Sequence, residues 1–272
     1  MFGEGKIAMP ELPEVQTIIN GLNQKVLGKE IQEIVELRSG TVFWQLPVTS
    51  LGKIELVSRR GKYIILQTAL HYKLIIHLRM TGKLIFEKDI NTTSSHSRAE
   101  IVFTDKTKLI FDDVRTFGKI QVLKKNENIS GIRNLGVEPL TNEFNAEYLI
   151  DKLRNRKAPI KTVLLDQSVI AGLGNIYVAE ILFRAKIHPA IPANKIKIKN
   201  MKKIVLETKI VLQEAIKHNG TTISDYRSVE DKTGEFQNFL KVYGKKTCEC
   251  GAEIKKIQQA GRGTYFCENC QT

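Results

Sequence analysis

Residues 53–87 read KIELVSRRGKYIILQTALHYKLIIHLRMTGKLIFE, and this stretch decides the fold of the first half of the chain. It contains short runs rich in Ile, Leu and Val, separated by polar or glycine-containing turns. Three further runs follow within residues 99–123, namely AEIVFT, KLIFDD and KIQVL. Runs of this length and spacing are typical of antiparallel strands. The pattern predicts a sandwich or barrel of strands that extends to about residue 123.

A helix is predicted immediately before these strands. Val15, Ile18, Ile19 and Leu22 follow helical spacing, and a proline at position 13 is tolerated in the first turn of a helix. A buried helix should therefore begin almost directly after Met9-Pro10-Glu11. Residues 91–95, NTTSS, are expected to form an exposed loop.

The second half of the chain has helical character. Residues 131–140, GIRNLGVEPL, contain two glycines and a proline and indicate a linker. Helical patterns then follow in four segments, and a glycine-rich turn at residues 171–175 separates the second from the third. These segments are residues 143–155, 160–172, 175–185 and 200–218.

The composition points to a polyanionic partner. The 272 residues include 42 Lys and Arg against 29 Asp and Glu, which gives a formal net charge of +13. Such a charge favours nucleic acid or an anionic membrane surface, although a basic enzyme without such a partner is the alternative. No apolar run approaches the ~20 residues of a membrane span, and the first nine residues lack the apolar segment of a secretory signal. We therefore expect a cytoplasmic protein.

The four cysteines of the chain lie together near its end. They form a C-x-C pair and a C-x2-C pair, separated by sixteen residues: Cys248, Cys250, Cys267 and Cys270. Two close pairs in a chain of this kind favour metal ligands over disulfides, and four thiolates suit a structural zinc ion. Two reduced pairs without a metal are the alternative. Arg262, between two glycines, should lie at the tip of a hairpin, either solvated or in contact with a phosphate.

Several other residues each allow two interpretations. Asn175 opens a predicted helix, where it could cap the helix or help a helix N-terminus bind phosphate. Glu11 could be a general acid or an acidic residue placed favourably in a first helical turn. Lys62 stands in a basic turn at a strand edge, and Met80 and Phe117 could be ordinary core residues.

The combination of segments is more specific than any one of them. MPELPEV at residues 9–15, GLGNIY at 172–177 and AGRGT-x-x-C at 260–267 resemble the signatures of bacterial formamidopyrimidine-DNA glycosylases. Residues 59–63, 77–82 and 113–118 resemble further family segments, in the same order and at about the same spacing. The resemblance runs from residue 9 to the end of the chain. Leu12 favours the purine-repairing branch over the related endonuclease VIII branch, which typically begins with a PEG-type sequence.

The resemblance implies a fold and a partner. The fold is α+β, with an N-terminal β-sandwich and flanking helices, a helix–two-turn–helix domain and a zinc β-hairpin holding one structural ion. The implied boundaries are a catalytic sandwich domain at 9–123, a linker at 124–140, a helical domain at 141–238 and a zinc hairpin at 239–272. The partner is double-stranded DNA with damaged purines or abasic sites, bound by a monomer that does not engage membranes.

The resemblance also implies a chemistry that centres on Pro10. Its secondary amine would attack C1′ of the damaged nucleoside, displace the base and form an iminium, after which β- and δ-elimination cut the strand. An α-amino group titrates near 8 whereas lysine titrates above 10, so such an amine is the better nucleophile at neutral pH. Glu11 would act as general acid, Lys62 would bind a phosphate and assist β-elimination, and Arg262 would be the acid for δ-elimination.

The remaining implied residues contact DNA. Met80, Arg115 and Phe117 would form a wedge that fills the space left by the extruded nucleotide, with Arg115 facing the orphaned base. Residues 221–239 would form a loop over the flipped base. Phosphate contacts would come from Asn175 together with Arg262, and from His96, Arg156 and Lys161.

Three departures from the family pattern affect these expectations. The first cysteine pair is C-x-C instead of C-x2-C, so Thr247 occupies the usual ligand position and Cys248 must serve from a tightened knuckle. A KHDH-like segment reads SHSR at residues 95–98, which affects His96 and its neighbours. Gln16 replaces a commonly acidic residue, without an expected effect on the chemistry.

Pro10 can act only if its nitrogen is free, because an acylated proline nitrogen is a tertiary amide. We therefore expect translation to start at Met9, followed by removal of that methionine. Gly3-Glu4-Gly5 corresponds to purine-rich codons like those of a bacterial ribosome-binding site, at a suitable distance. A genuine eight-residue extension is the alternative. The rival functions are an endonuclease VIII-like glycosylase for oxidised pyrimidines, a non-catalytic lesion-binding protein and a zinc-hairpin RNA-binding protein.

Overall fold

The computed structural model describes residues 9–221 and 234–272. The described chain divides into two compact units. Unit 1 contains residues 9–133 with 218–221 and 234–237, and unit 2 contains residues 134–217 with 238–272. The chain therefore leaves unit 1 after the sandwich and returns to it briefly before the cysteine hairpin.

The predicted N-terminal helix is confirmed as α1, Leu12–Lys25. Glu11 is its N-cap residue, with an extended backbone, and the helix carries a proline in its first turn. The apolar face predicted from helical spacing is buried, with Val15, Ile18 and Leu22 each at most 1% exposed. Burial of this face in the core of unit 1 fixes the position of the residues just before the helix.

A nine-stranded sheet forms most of unit 1. All seven strands predicted from the apolar runs are present, and the strands β1 and β2 were not predicted. Neighbouring strands are antiparallel, except that β2 runs parallel to β9. The strands are β1 Glu30–Glu36, β2 Val42–Trp44, β3 Gly52–Arg60, β4 Tyr63–Thr68, β5 Tyr72–His77, β6 Gly82–Glu87, β7 Ser97–Phe103, β8 Lys108–Asp113 and β9 Lys119–Lys124.

The sheet folds into a sandwich, as expected. The strand order is β2-β9-β5-β4-β3-β1-β7-β8-β6, and only two residue pairs join β3 to β1 at its centre. One buried cluster contains residues from both halves, for example Leu66 and Leu74 from one and Ile101 and Phe111 from the other. The two halves therefore share a single core, with α1 packed into it.

The segment predicted as a linker contains a short helix, α2, Ser130–Arg133. Ile132 of this helix packs with Ile75 and Leu123 in a small separate cluster of unit 1. The division between the two units falls immediately after this helix. The loop predicted at residues 91–95 lies between β6 and β7, outside any strand.

Unit 2 is built from helices followed by a small hairpin. The pattern at residues 160–172 was wrong in extent, because the helix there ends at Leu164 and Ser168 N–H donates to Asp166 in a turn. No helix in the described part of the chain is long and apolar enough to cross a membrane. The elements are α3 Ala146–Leu153, α4 Ile160–Leu164, α5 Asn175–Arg184, α6 Ile198–Lys217, β10 Lys255–Gln259 and β11 Arg262–Phe266.

Candidate active site

Pro10 and Glu11 are buried at the start of α1. The backbone N–H of Glu11 donates to Oε2 of Glu14 at 2.9 Å. The other oxygen of that carboxylate accepts from the N–H of Thr221 at 2.7 Å and from its hydroxyl at 3.0 Å. Gly220 lies so close that an added Cβ would be 2.7 Å from Glu14 Oε1. One buried carboxylate thus ties the predicted nucleophile segment to the point where the chain returns to unit 1.

Lys62 lies in the turn between β3 and β4 and is only 6% exposed. His77, the last residue of β5, is opposite Tyr63 in the strand register, and the two rings meet edge to face at 4.6 Å. Nδ1 of His77 accepts from the N–H of Arg79 at 3.0 Å. Burial, together with the smaller effect of the positive charges of Arg79 and Lys62, lowers the pKa of His77 to about 3.

His77 is a candidate functional residue to which the sequence reasoning gave no role. With Nδ1 acting as an acceptor, the proton of its neutral ring resides on Nε2. The imidazole is therefore an uncharged hydrogen-bond donor at neutral pH, beside the positive charge of Lys62. The available signal was its position at the start of residues 77–82, one of the segments that resembles the family.

The three residues of the predicted wedge lie together. A guanidinium N–H of Arg115 points to Sδ of Met80 at 3.3 Å. The same guanidinium stacks over the ring of Phe117, with 5.0 Å between its central carbon and the ring centroid. Phe117 is 50% exposed, which is unusual for a phenylalanine. Met80 and Phe117 are therefore not core residues.

His96 lies in the loop before β7 and is half-buried. Its backbone carbonyl accepts from the N–H of Asp113 at 3.0 Å, which places it beside the strand that leads to Arg115. Its ring Nδ1 is 3.0 Å from the hydroxyl of Ser95. The predicted base-covering loop at residues 221–239 lies largely outside the described residues, which end at 221 and resume at 234.

Unit 2 brings together three more of the predicted residues. The backbone carbonyl of Gly263 accepts from Nδ2 of Asn175 at 3.0 Å and from Nζ of Lys161 at 3.1 Å. Lys161 is 1% exposed, and its Nζ also donates to the hydroxyl of Thr264 at 2.6 Å. Arg262, immediately before Gly263, is exposed. Lys161 and Asn175 thus hold the strand that presents Arg262.

One of the two interpretations of Asn175, and the predicted place of Arg262 at the hairpin tip, were wrong. The N-cap of α5 is Gly174, not Asn175, and Asn175 instead reaches the hairpin. Arg262 is not at the hairpin tip, because it is the first residue of β11 and pairs with Gln259. Ala260 and Gly261 form the turn, with φ of 48° and 71°, as a two-residue hairpin turn requires.

Arg156 is placed apart from this group. Its guanidinium donates to Asp166 at 2.7 Å, and both side chains are more than a third exposed. Burial raises the pKa of Asp166, but the hydrogen bonds from Ser168 and Arg156 outweigh it and hold that pKa below its usual value. No described contact joins Arg156 to Arg262 or Asn175.

The four cysteines form one cluster at the base of the hairpin. Their Sγ atoms all lie within 4.8 Å of one another, with 3.8 Å between Cys248 and Cys270 and 3.6 Å between Cys250 and Cys267. Thiolates at about 2.3 Å from a tetrahedral zinc ion are separated by about 3.8 Å, so the cluster fits zinc. Cys248 lies within the cluster despite the C-x-C spacing, because a tight turn runs from it to Gly251, whose φ is 85°.

A buried carboxylate connects α5 to the segment that leads into the hairpin. Glu180 is fully buried and accepts three backbone N–H groups, from Lys241, Val242 and Tyr243, at 2.8 to 2.9 Å. Asn175 lies at the other end of the same helix. α5 therefore supports the hairpin at two points.

Comparison with known proteins identifies the chain. Residues 9–120 match the sequence profile of the formamidopyrimidine-DNA glycosylase N-terminal domain, and residues 135–227 match that of the family's H2TH domain. Residues 249–272 match a zinc finger found in FPG and IleRS. The chain belongs to the formamidopyrimidine-DNA glycosylase family. It is therefore a base-excision-repair DNA glycosylase, of a family whose function includes cleavage at abasic sites.

Relatives of the family support this over the whole length. The formamidopyrimidine-DNA glycosylase of a Wolbachia strain from Drosophila simulans is 42% identical, over 97% of this chain and 100% of that protein. The structure of a Lactococcus lactis FPG mutant with Fapy-dG-containing DNA has a TM-score of 0.89 at 38% identity, covering 96% of this chain and 99% of that one. The wild-type Lactococcus lactis protein with oxidised-pyrimidine DNA gives 0.88 at 37% identity, with the same coverage.

Proposed function

We propose that this glycosylase removes oxidised purines, such as 8-oxoguanine and formamidopyrimidines, from duplex DNA and then cleaves the strand through a Schiff base on Pro10. The observation that carries the proposal is the buried Pro10–Glu11 segment, fixed by Glu14 at the start of α1. A nucleophile and a general acid that are adjacent in sequence and held rigidly can act on one sugar. The Lactococcus lactis relative bound to Fapy-dG DNA supports the substrate class.

In this reaction Pro10 attacks C1′ and the base leaves, with Glu11 donating a proton to the sugar ring or the leaving group. Lys62 binds the phosphate near the lesion, and His77 supplies a neutral N–H beside it. Because His77 stays uncharged, it places no second positive charge beside the ammonium of Lys62. Opening of the sugar ring then gives an iminium between Pro10 and C1′, which acidifies the C2′ protons. One C2′ proton is lost to water and the 3′ phosphate leaves, with Lys62 as its proton donor, which completes β-elimination.

The residues of unit 2 take the second elimination and hold the flanking phosphates. Arg262 is exposed at the start of β11 and is the proposed acid for δ-elimination. Asn175 is proposed to bind phosphate alongside it, and Arg156 and His96 to make further phosphate contacts. Buried Lys161 would serve this function through the hairpin, since its Nζ is bound to Gly263 and Thr264.

Pro10 acts only as a free amine, so we propose that the active enzyme begins at Pro10. The family profile starts at residue 9, which supports this start. Cys248, Cys250, Cys267 and Cys270 are proposed to hold one zinc ion, which stabilises the hairpin and takes no part in the reaction. We further propose a monomer in the bacterial cytoplasm, acting at the nucleoid, with domains at 9–123, 141–238 and 239–272 joined by a linker at 124–140.

The decisive experiment combines borohydride trapping with mass spectrometry. The active protein incubated with abasic duplex DNA and borohydride should yield one covalent complex, whose cross-linked peptide begins at Pro10. A form that retains Met9 should trap nothing, and Glu11→Gln should trap on abasic DNA while losing base excision. A cross-link at a lysine, or trapping by the form with Met9 attached, would contradict the assignment of Pro10.

A second substrate class is favoured by one comparison. The wild-type Lactococcus lactis relative was crystallised with DNA containing an oxidised pyrimidine. Excision rates on duplexes with 8-oxoguanine opposite cytosine and with thymine glycol distinguish the two classes. We expect faster excision of 8-oxoguanine, and a preference for thymine glycol would assign the protein to oxidised pyrimidines.

A further inference from the structure

Two turns of unit 1 carry the wedge, and both are strained. The turn between β5 and β6 carries Met80, and the turn between β8 and β9 carries Arg115 and Phe117. Arg79, immediately before Met80, has a φ of 56°, and Thr116, immediately before Phe117, has a φ of 62°. Positive φ is rare in residues other than glycine, and it is especially unfavourable for a β-branched threonine. Such conformations persist only where the surroundings hold them.

A single buried carboxylate holds both turns. Asp113, the last residue of β8, is fully buried. Its Oδ1 accepts from the hydroxyl of Thr81 and, at 3.2 Å, from the N–H of Arg115, while its Oδ2 accepts from the N–H of Gly118 at 2.8 Å. Thr81 follows Met80 and is 5% exposed, and its hydroxyl oxygen also lies 3.0 Å from the N–H of Arg115.

We propose that Asp113 and Thr81 are positioning residues that hold Met80, Arg115 and Phe117 together as a preformed wedge before DNA binds. This inference rests on the proposed function, in which the wedge enters the space of an extruded nucleotide. Unstacking a base step is costly, and a wedge that must first order two turns adds the cost of ordering them. A wedge held in advance avoids that cost, so Asp113 and Thr81 act on extrusion and not on the chemistry at C1′.

The carboxylate is needed because both of its oxygens are engaged: one links Thr81 of the first turn to Arg115 of the second, and the other holds Gly118 of the second turn. An asparagine at this position has a single acceptor oxygen and would present an N–H₂ group to one of the two backbone donors. Gly118 has no room to compensate, because an added Cβ would lie 2.4 Å from the ring of Phe111.

The test compares Thr81→Val with Thr81→Ser. Valine keeps the shape of threonine and removes only the hydroxyl, whereas serine keeps the hydroxyl. The readout is the ratio of two single-turnover rates: excision of 8-oxoguanine from a duplex, and cleavage at an abasic site in single-stranded DNA, where no base is unstacked. Thr81→Val should lower this ratio about tenfold, and Thr81→Ser should stay within about twofold of the wild type.

A matched control and an independent signal complete the experiment. Thr208→Val removes another fully buried hydroxyl, which donates to Ile204 within α6, and it should leave the ratio unchanged. With 2-aminopurine beside the lesion, Thr81→Val should slow the fluorescence rise that reports unstacking. Should Thr81→Val fail to fold, Thr116→Gly relieves the positive φ without removing a hydrogen bond. It should lower the same ratio without lowering the unfolding free energy.

The outcomes separate this inference from the proposed function. An active wild type whose ratio is unaffected by Thr81→Val, or whose two rates fall equally in that variant, would exclude a positioning role. A fall of this ratio in Thr81→Ser as large as that in Thr81→Val would also exclude a positioning role. A wild type that neither excises 8-oxoguanine nor traps on abasic DNA would overturn the proposed function itself, and the positioning role with it.

Discussion

Replacing His77 by glutamine should make the stability of unit 1 less sensitive to acid. The folded protein holds the pKa of His77 at about 3, against a reference value of 6.5, mainly because the ring is buried. Below the reference value the unfolded chain binds a proton that the folded protein does not. The stability associated with the neutral ring is therefore fully present above 6.5 and is lost as the pH falls towards 3.

The size of the effect follows from the two pKa values. Between about pH 7 and about pH 5 the wild type should lose about 2 kcal/mol of unfolding free energy through this one group, at about 1.4 kcal/mol per pH unit below the reference value. Glutamine has no such titration. His77→Gln should lose the edge-to-face contact with Tyr63 at both pH values, so its stability falls uniformly and only its pH dependence becomes smaller.

Urea unfolding followed by tryptophan fluorescence measures the unfolding free energy at each pH directly. Trp44 is the only tryptophan of the chain and lies in β2 of unit 1, so the signal reports that unit. His71→Asn is the matched control, because His71 is exposed and has a φ of 60° that asparagine tolerates. It should retain the acid sensitivity of the wild type. Equal losses of free energy in His77→Gln and the wild type would refute the buried neutral imidazole.

Three further predictions concern unit 2. Glu180→Ala leaves three backbone N–H groups without their acceptor and should destabilise unit 2 by about 3 kcal/mol. The measurement is amide exchange, which should become faster in β10 and β11. Unchanged exchange would contradict the support of the hairpin by Glu180. A chelator should remove one zinc per chain and disorder the hairpin, and Cys250→Ser should weaken zinc binding at least tenfold in a competition assay; full affinity would exclude Cys250 as a ligand. Lys161→Met should slow duplex cleavage about tenfold. It should reduce the salt dependence of DNA binding less than Arg262→Met does, since Lys161 acts through the hairpin. An equal reduction in the two variants would indicate that Lys161 contacts phosphate directly.

The parts of the fold that follow local patterns could be predicted from the sequence. Seven strands and α1 have apolar residues at the spacing of their element, and they were found. β1 reads EIQEIVE and has three exposed glutamates, so its apolar content is too low to predict a strand. β2 has only three residues, two of them exposed aromatics. These two strands are stabilised by neighbours distant in sequence, which no local pattern reveals.

The site residues also differ in how far the sequence predicts them. Pro10, Glu11 and the four cysteines were identified from motifs, because each lies in a short segment that is recognisable by itself. The contacts of Asn175 could not be predicted, since its partner Gly263 is 88 residues away and the preference of asparagine for caps suggested a local role. The role suggested for His77 depends on burial and on two neighbouring cations, and only the folded chain brings these together.

The bond between Glu14 and Thr221 has a consequence for synthesis on the ribosome. The two residues are 207 positions apart, so at roughly 5–20 residues per second the partner of Glu14 is made roughly 10–40 s after it. Until then a nascent sandwich carries a carboxylate that lacks the two donors of Thr221. In a chain that ends before Thr221, the segment at Pro10 would therefore lack the support that Thr221 gives to Glu14. Synthesis of the chain past Thr221 thus becomes a condition for assembling the nucleophile segment as it stands in the whole protein.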